Sequence, residues 1–135
     1  LIDIFEPRFD PITFDVVKKK LVVEKELPSY VQELVSTWFN EKVKVNGFDG
    51  DMKFIITDYK QETNLVSDGK RVDIILSFKV LLKKPTLSQI KIIEGEVSSY
   101  GTLTGDLTLN EFDRVIQNTQ SDLILRLSRD LKNKI

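Results

Sequence analysis

Two pairs of carboxylates flank a glycine in this chain, Asp49 and Asp51 about Gly50, and Glu94 and Glu96 about Gly95. Residues two apart on a strand share a face, so Glu94 and Glu96 are spaced for acid–base work. The plainer reading is a pair of solvated acids. Asn46, Asp49 and Asp51 resemble the start of a calcium loop, but a ligand at every second position and the distal glutamate are missing. Gly69-Lys70 lacks the glycine-rich run of a phosphate loop. Gly101 and Gly105 have GxxxG spacing outside any apolar helix. The chain contains no histidine and no cysteine. Without histidine there is no Ser–His triad, and the commonest general base and metal ligand is absent. Without cysteine there are no thiolates, disulfides or Cys-type zinc sites. No Ser-x-x-Lys opens a helix. These residues predict a protein that is not an enzyme and has no catalytic residues, no cofactor and no metal site. A small enzyme would need a concave pocket with convergent acids between helix and sheet.

The elements that would position such residues follow from length and periodicity. The chain's 135 residues suit one domain, and 41% hydrophobic with 30% charged residues is an ordinary globular composition. Twenty basic and 21 acidic residues leave a net charge of −1, which argues against a broad nucleic-acid surface. No apolar run approaches the ~18 residues of a spanning helix. Val72, Ile74, Leu76, Phe78, Val80 and Leu82 recur at every second position, the mark of a long strand with one face on a core. Residues 1–11, with Pro7 and Pro11, read as an extended arm whose Phe5 and Phe9 dock on the domain or on a partner. Residues 12–135 form the domain.

Ile12, Phe14 and Val16 begin a first strand that resumes as Leu21-Val22-Val23 after a bulge or turn at Lys18-Lys19-Lys20. Lysines there discourage edge pairing, and a solvated edge is their plainer reading; the other is that they and the basic end of the last helix touch acidic lipid or nucleic acid. Ser29 and Gln32 have capping-box spacing, so a helix is predicted from Tyr30, with Val31, Leu34, Val35 and Trp38 as its buried stripe. Trp38 reads as core. Asn46-Gly47 is the predicted helix end. A strand follows, with Met52, Phe54 and Ile56 on one side and Ile55, Thr57 and Tyr59 on the other. Ser67-Asp68-Gly69-Lys70 is a hairpin turn, Asp-Gly tolerating positive φ. A further strand runs from Ile90 to about Tyr100, with a predicted bulge at Gly95. Residues 98–106 read as a polar loop or frayed strand end. Thr108 and Glu111 form a second capping box, with Leu107 and Phe112 as a hydrophobic staple. The helix from Leu109 to Lys134 presents Phe112, Ile116, Leu123, Leu127 and Leu131, and its basic end suits the dipole.

The predicted fold is α+β, a two-layer sandwich. A mainly antiparallel four-stranded sheet carries two helices on one face, in the order β-α-β-β-β-α. The open face also carries Ile55, Tyr59, Ile75, Leu81 and Ile93. The candidate partner contacts are Ser67, Asp68 and Lys70 at the hairpin tip, and Ser98, Ser99, Tyr100 and Thr102 in the polar stretch.

Three motifs carry a family resemblance. They are Phe9-Asp10-Pro11-Ile12, Leu27-Pro28 leading to Val35-Ser36-Thr37-Trp38 and Gly47, and Leu107-Thr108-Leu109-Asn110-Glu111. With the element order, they make the chain resemble small Gram-negative envelope lipoproteins. These include the lipopolysaccharide-assembly lipoprotein, the auxiliary lipoproteins of lipid-transport systems and, more closely, a family of uncharacterised proteobacterial lipoproteins. The resemblance implies a non-enzymatic binding or scaffolding role in the cell envelope, at the outer membrane. It implies the periplasmic, membrane-anchored part of a lipoprotein, with an envelope protein or lipid as partner and no nucleic acid. The N-terminal cysteine of that family is not in this chain, which starts at Leu1. A processed or trimmed form is expected, with membrane association only through an anchor upstream. The alternative is a cytosolic α+β module binding RNA or protein through its open sheet face, which requires Tyr59, Phe or Arg side chains clustered there.

Overall fold

The protein is described by a computed structural model over residues 9–105 and 108–135. Residues 1–8 of the predicted arm, with Phe5 and Pro7, lie outside the described residues, as do Asp106 and the staple residue Leu107. The elements run β1 (Ile12–Phe14), β2 (Lys18–Val23), α1 (Ser29–Lys42), β3 (Val43–Val45), β4 (Asp51–Val66), β5 (Gly69–Lys84), a 3-10 turn (Pro85–Leu87), β6 (Gln89–Thr104) and α2 (Leu109–Lys134). The fold is α+β, with two helices, a mixed four-stranded sheet in the order β2-β4-β5-β6 and a small sheet of β1 and β3.

The predicted first strand is two strands in different sheets. Val16 turns into the core, and the Val17 N–H donates to the Gly50 carbonyl (3.0 Å). After that bend, Lys18–Lys20 is ordinary strand and not a bulge. β2 runs parallel to β4, because α1 returns the chain to the starting edge, as a parallel pair requires. The helix also ends earlier than Asn46-Gly47 implies. Val43 and Val45, β-branched and alternating, leave it to pair with Ile12 and Phe14 in β3. At its start the expected capping box does not form. Pro28 occupies the cap without a side-chain bond, the Gln32 N–H bonds the Pro28 carbonyl, and the Gln32 side chain reaches Ser36 instead (3.3 Å). The second box does cap its helix, with the Glu111 N–H donating to the Thr108 hydroxyl (3.2 Å).

β5 is the centre of the sheet, and its predicted inner residues from Val72 to Val80 are buried. The bulge expected at Gly95 lies elsewhere. β5 and β6 pair without interruption from Gly69↔Thr104 to Lys84↔Gln89, whereas β4 slips against β5 between Ile56 and Asp58. The slip moves every later β4 side chain to the other face. Tyr59 is therefore an inner residue, 6% exposed, and not on the open face. Ile93 is likewise inner and buried, opposite Val80. The glycine has another cause. A Cβ at Gly95 would lie 2.4 Å from the Phe78 ring and 2.7 Å from Lys134 Nζ, so the missing side chain is the space those groups occupy.

The polar stretch after Ser98 is strand as far as Thr104. Its inner positions are Ser99, Gly101 and Leu103. Ser99 bonds Asp122 of α2 (2.8 Å), and a Cβ at Gly101 would stand 2.3 Å from Thr119 Oγ1. Small residues here let α2 approach closely. α2 spans the sheet's length, from Lys70 above the Phe112 ring (5.9 Å) to Lys134 above Phe78 (5.7 Å). Phe9, at the end of the predicted arm, is buried in the core, and Asp10 pairs with Lys132 (3.2 Å). The aromatic centre joins Trp38 edge-on to Phe54 (5.3 Å) and Phe54 stacked on Phe78 (5.5 Å).

Candidate binding surfaces

The two carboxylates with catalytic spacing, Glu94 and Glu96, do not converge on a cleft. Glu94 faces Lys79 across the open face (3.5 Å), and Glu96 is exposed opposite Ser77. Asp49 accepts from the Thr86 N–H (2.9 Å). Its carboxyl is held below the usual value by hydrogen bonds from the Thr86 side chain and then its backbone. That bond ties the loop before β4 to the 3-10 turn. Asp58 is likewise held low, chiefly by its bond from Lys25. Among the described residues, no group of three or more acids could hold a metal ion. The space between α2 and the sheet is filled by Leu123, Leu127 and Leu131, all fully buried.

The predicted contact residues run from the hairpin tip, with Ser67, Asp68 and Lys70, along β6 to Ser98, which lies opposite Ile75 near the middle of β5. Ser67 and Asp68 form a two-residue loop closed by Val66 and Gly69. The positive φ falls on Gly69 (156°) and not on Asp68, and a Cβ there would strike the Leu103 carbonyl. Lys70, Ser98, Tyr100 and Thr102 are exposed. Ser98, Tyr100 and Thr102 alternate along the outer face, where Arg71 lies over the Tyr100 ring (4.0 Å) and bonds Asp73 (2.9 Å). Ser99 faces inward, 4% exposed, with its hydroxyl committed to Asp122. The parity of a strand separates it from its neighbours, which a loop would not do. Behind the tip, Leu65, Lys70, Leu103 and Phe112 line a small hollow of about 220 Å³.

The open face does not cluster aromatic and basic groups. With Tyr59 inside, Tyr100 is its one aromatic residue among those described. Its charges are mixed, Lys79 facing Glu94, Glu62 facing Asp73 and Lys20 facing Lys53. A ladder of mixed charge gives a nucleic-acid backbone no continuous positive track.

The opposite end joins Lys18–Lys20 to residues that the sequence did not connect with them. A cleft of about 670 Å³ opens between the start of β2, the loop before β4 and Pro85. Lys18, Lys19, Lys20 and Lys53 line it together with Val17, Met52 and Phe48. Phe48 is fully exposed. The available signal was an aromatic residue between Gly47 and Asp49-Gly50, a turn that has no core face to receive it. Lys19 alone points inward, donating to the carbonyls of Phe39 (2.7 Å) and Val43 (2.6 Å) at the end of α1. Burial first, then Lys44, pulls its pKa below the ordinary lysine value.

No protein-family model matches the sequence, and no curated protein matches it. Solved structures do. The chain superposes on rare lipoprotein B from Shewanella oneidensis with a TM-score of 0.53 at 12% identity, covering 87% of this chain and 95% of that one. A minor lipoprotein from Acinetobacter baumannii gives 0.48 at 12% identity, over 87% and 93%. An uncharacterised lipoprotein B from Nitrosomonas europaea gives 0.48 at 11%, over 95% and 90%. The first of these shows a shared fold over nearly the whole length of both chains. No helix among the described residues is long and apolar enough to cross a membrane.

Proposed function

We propose that this chain is a non-enzymatic binding or scaffolding domain of the bacterial cell envelope, the periplasmic part of a membrane-tethered lipoprotein. The observation that carries the reading is the end-to-end fold likeness to rare lipoprotein B. Three features support it. The helix–sheet interface is filled where a substrate cleft would lie, Glu94 and Glu96 lie exposed on the open face, and histidine and cysteine are absent from the sequence. The partner, an envelope protein or lipid, meets the hairpin end through Ser67, Asp68, Lys70, Ser98, Tyr100 and Thr102. Ser99 supports that surface from below.

The test uses the natural gene product in its own cells. Metabolic labelling with an alkyne fatty acid should mark the protein, and fractionation should find it with the envelope. An unlabelled protein in the cytosol would overturn the reading. A photo-crosslinking residue in place of Tyr100 should then yield a discrete adduct, while one at exposed Glu33 on α1 should not.

A further inference from the structure

We infer that the end of the sheet opposite the hairpin is a docking surface for an anionic lipid bilayer. The inference goes beyond the proposed function, because it needs no tether and concerns the other end of the molecule.

The surface is built from three segments held together by short bonds. Asp49 ties the loop before β4 to the 3-10 turn through Thr86 (2.9 Å). The Val17 N–H ties the entry to β2 to Gly50 (3.0 Å). Lys84 reaches Asp15 (2.7 Å). From this braced end project Phe48, 104% exposed, Leu87 at 58% and Ile90 at 70%. On the outer face, Ile92 lies beside Leu81. An aromatic ring wholly in water gains nothing for folding, whereas at a membrane interface such rings partition favourably.

Charge selects the partner. Lys18, Lys20, Lys53, Lys83, Lys84 and Lys91 stand at this end with Asp15, Asp49 and Asp51. Asp15 is occupied by Lys84, and Asp49 by the turn. Lys18, Lys20 and Lys53 sit in adjacent outer rows of β2 and β4 beside Lys83, Leu81 and Ile92. A chain of net charge −1 thus concentrates lysines around Phe48, Leu87 and Ile90. That is the pattern of an anionic phospholipid surface, with phosphates outside and acyl chains beneath. The hairpin end serves as the internal control. It exposes Leu65 and Leu109 just as fully, but Glu62, Asp68, Lys70 and Glu111 give it charges of both signs.

The experiment is co-sedimentation of the 135-residue chain with vesicles of phosphatidylcholine alone or with about a third phosphatidylglycerol. Binding should be at least about tenfold stronger to the anionic vesicles and fall steeply in high salt. Each lysine near the surface is worth about fivefold, so the combined K18Q/K20Q/K53Q/K83Q variant should lose most of the binding. Phe48→Ser should lower it about tenfold without changing the thermal melt, because that side chain supports nothing. Leu65→Ser at the hairpin end should leave it unchanged. Equal binding to neutral vesicles overturns the inference, as does no binding at all. So does an equal loss in Leu65→Ser, or a Phe48-dependent self-association that replaces vesicle binding. Should the quadruple variant misfold, Phe48→Ser still decides.

Discussion

The two halves of β4 pair with the same strand and are built in opposite ways. From Met52 to Ile56 every inner residue is fully buried, under α1 and against the Trp38–Phe54–Phe78 cluster. Beyond the slip at Thr57, the inner positions after Tyr59 are Gln61, Thr63 and Leu65, and all are exposed. α1 covers only the first half. α2 crosses the whole sheet but lies over β5 and β6, and its own first turns are only partly buried. This ribbon is therefore anchored at one end and cantilevered at the other. Stability is concentrated where both helices meet the sheet, and the hairpin end is free for contact.

The largest expected effect breaks the anchored half. Phe54→Ala removes the ring that touches Trp38, Phe39 and Phe78 and should cost about 3–5 kcal/mol in urea unfolding. Leu65→Ala, at the matching inner position of the free half, should stay within about 0.5 kcal/mol. Equal losses would erase the distinction between the halves.

Tyr59 marks the border, and pH reads it. Its hydroxyl donates to Gln61 (2.6 Å), and burial pushes its pKa up from 10.0 to about 12. The raised folded value means that the unfolded chain gives up this proton first. The stabilisation is therefore complete below pH 10 and is lost as pH climbs from 10 towards 12. One proton over that interval corresponds to roughly 2–3 kcal/mol. Comparing wild type with Tyr59→Phe across this range isolates the effect, since the variant lacks it. Identical slopes would place Tyr59 in solvent, on the free side of the border.

Gly101→Ala tests the small-residue seam that lets α2 reach the free half. The added methyl would meet Thr119 Oγ1 at 2.3 Å, and Thr119 is fixed by its own bond to the Val115 carbonyl (2.8 Å). Overpacking of this kind costs about 1–3 kcal/mol. Hydrogen exchange should show the loss as earlier opening of the first turns of α2. Unchanged exchange there would mean that the helix is held only from its far end.

Legibility in the sequence followed the same division. Where inner positions are large and apolar, as in β5, α1 and the second half of α2, period alone gave the element and its face. Where inner positions are small or polar, as at Ser99 and Gly101, the same strand read as a loop, because close helix approach leaves no apolar signal. The β4 slip was invisible for another reason. Ile55, Thr57 and Tyr59 keep perfect alternation, and nothing local says that the ladder skips a residue. The turn at Ser67–Asp68 was readable from its chemistry. The joining of Lys18–Lys20 to Phe48 at one end was not, since Phe48 and the 3-10 turn lie 37 residues and more apart in the chain and meet through Asp49 and Thr86.

The smallest effect separates three neighbouring lysines. Lys18, Lys19 and Lys20 are identical in type, and strand parity sends the outer two to the open face with Asp51 and Lys53, and the middle one inward with Met52. There Lys19 covers the last carbonyls of α1 and lies 4.9 Å from the Phe39 ring. A cation at a helix C-terminus is favourable, and orphaned carbonyls are not. Lys19→Met keeps the aliphatic stem and removes the donor, so it should cost about 1 kcal/mol in urea unfolding. Lys18→Met and Lys20→Met should each stay within about 0.5 kcal/mol, while weakening binding to anionic vesicles. Burial of Lys19 lowers its pKa, so part of its benefit is offset by desolvation, which keeps the expected loss small. A substitution series in which all three lysines behave alike would mean that β2 does not hold the register that divides its two faces.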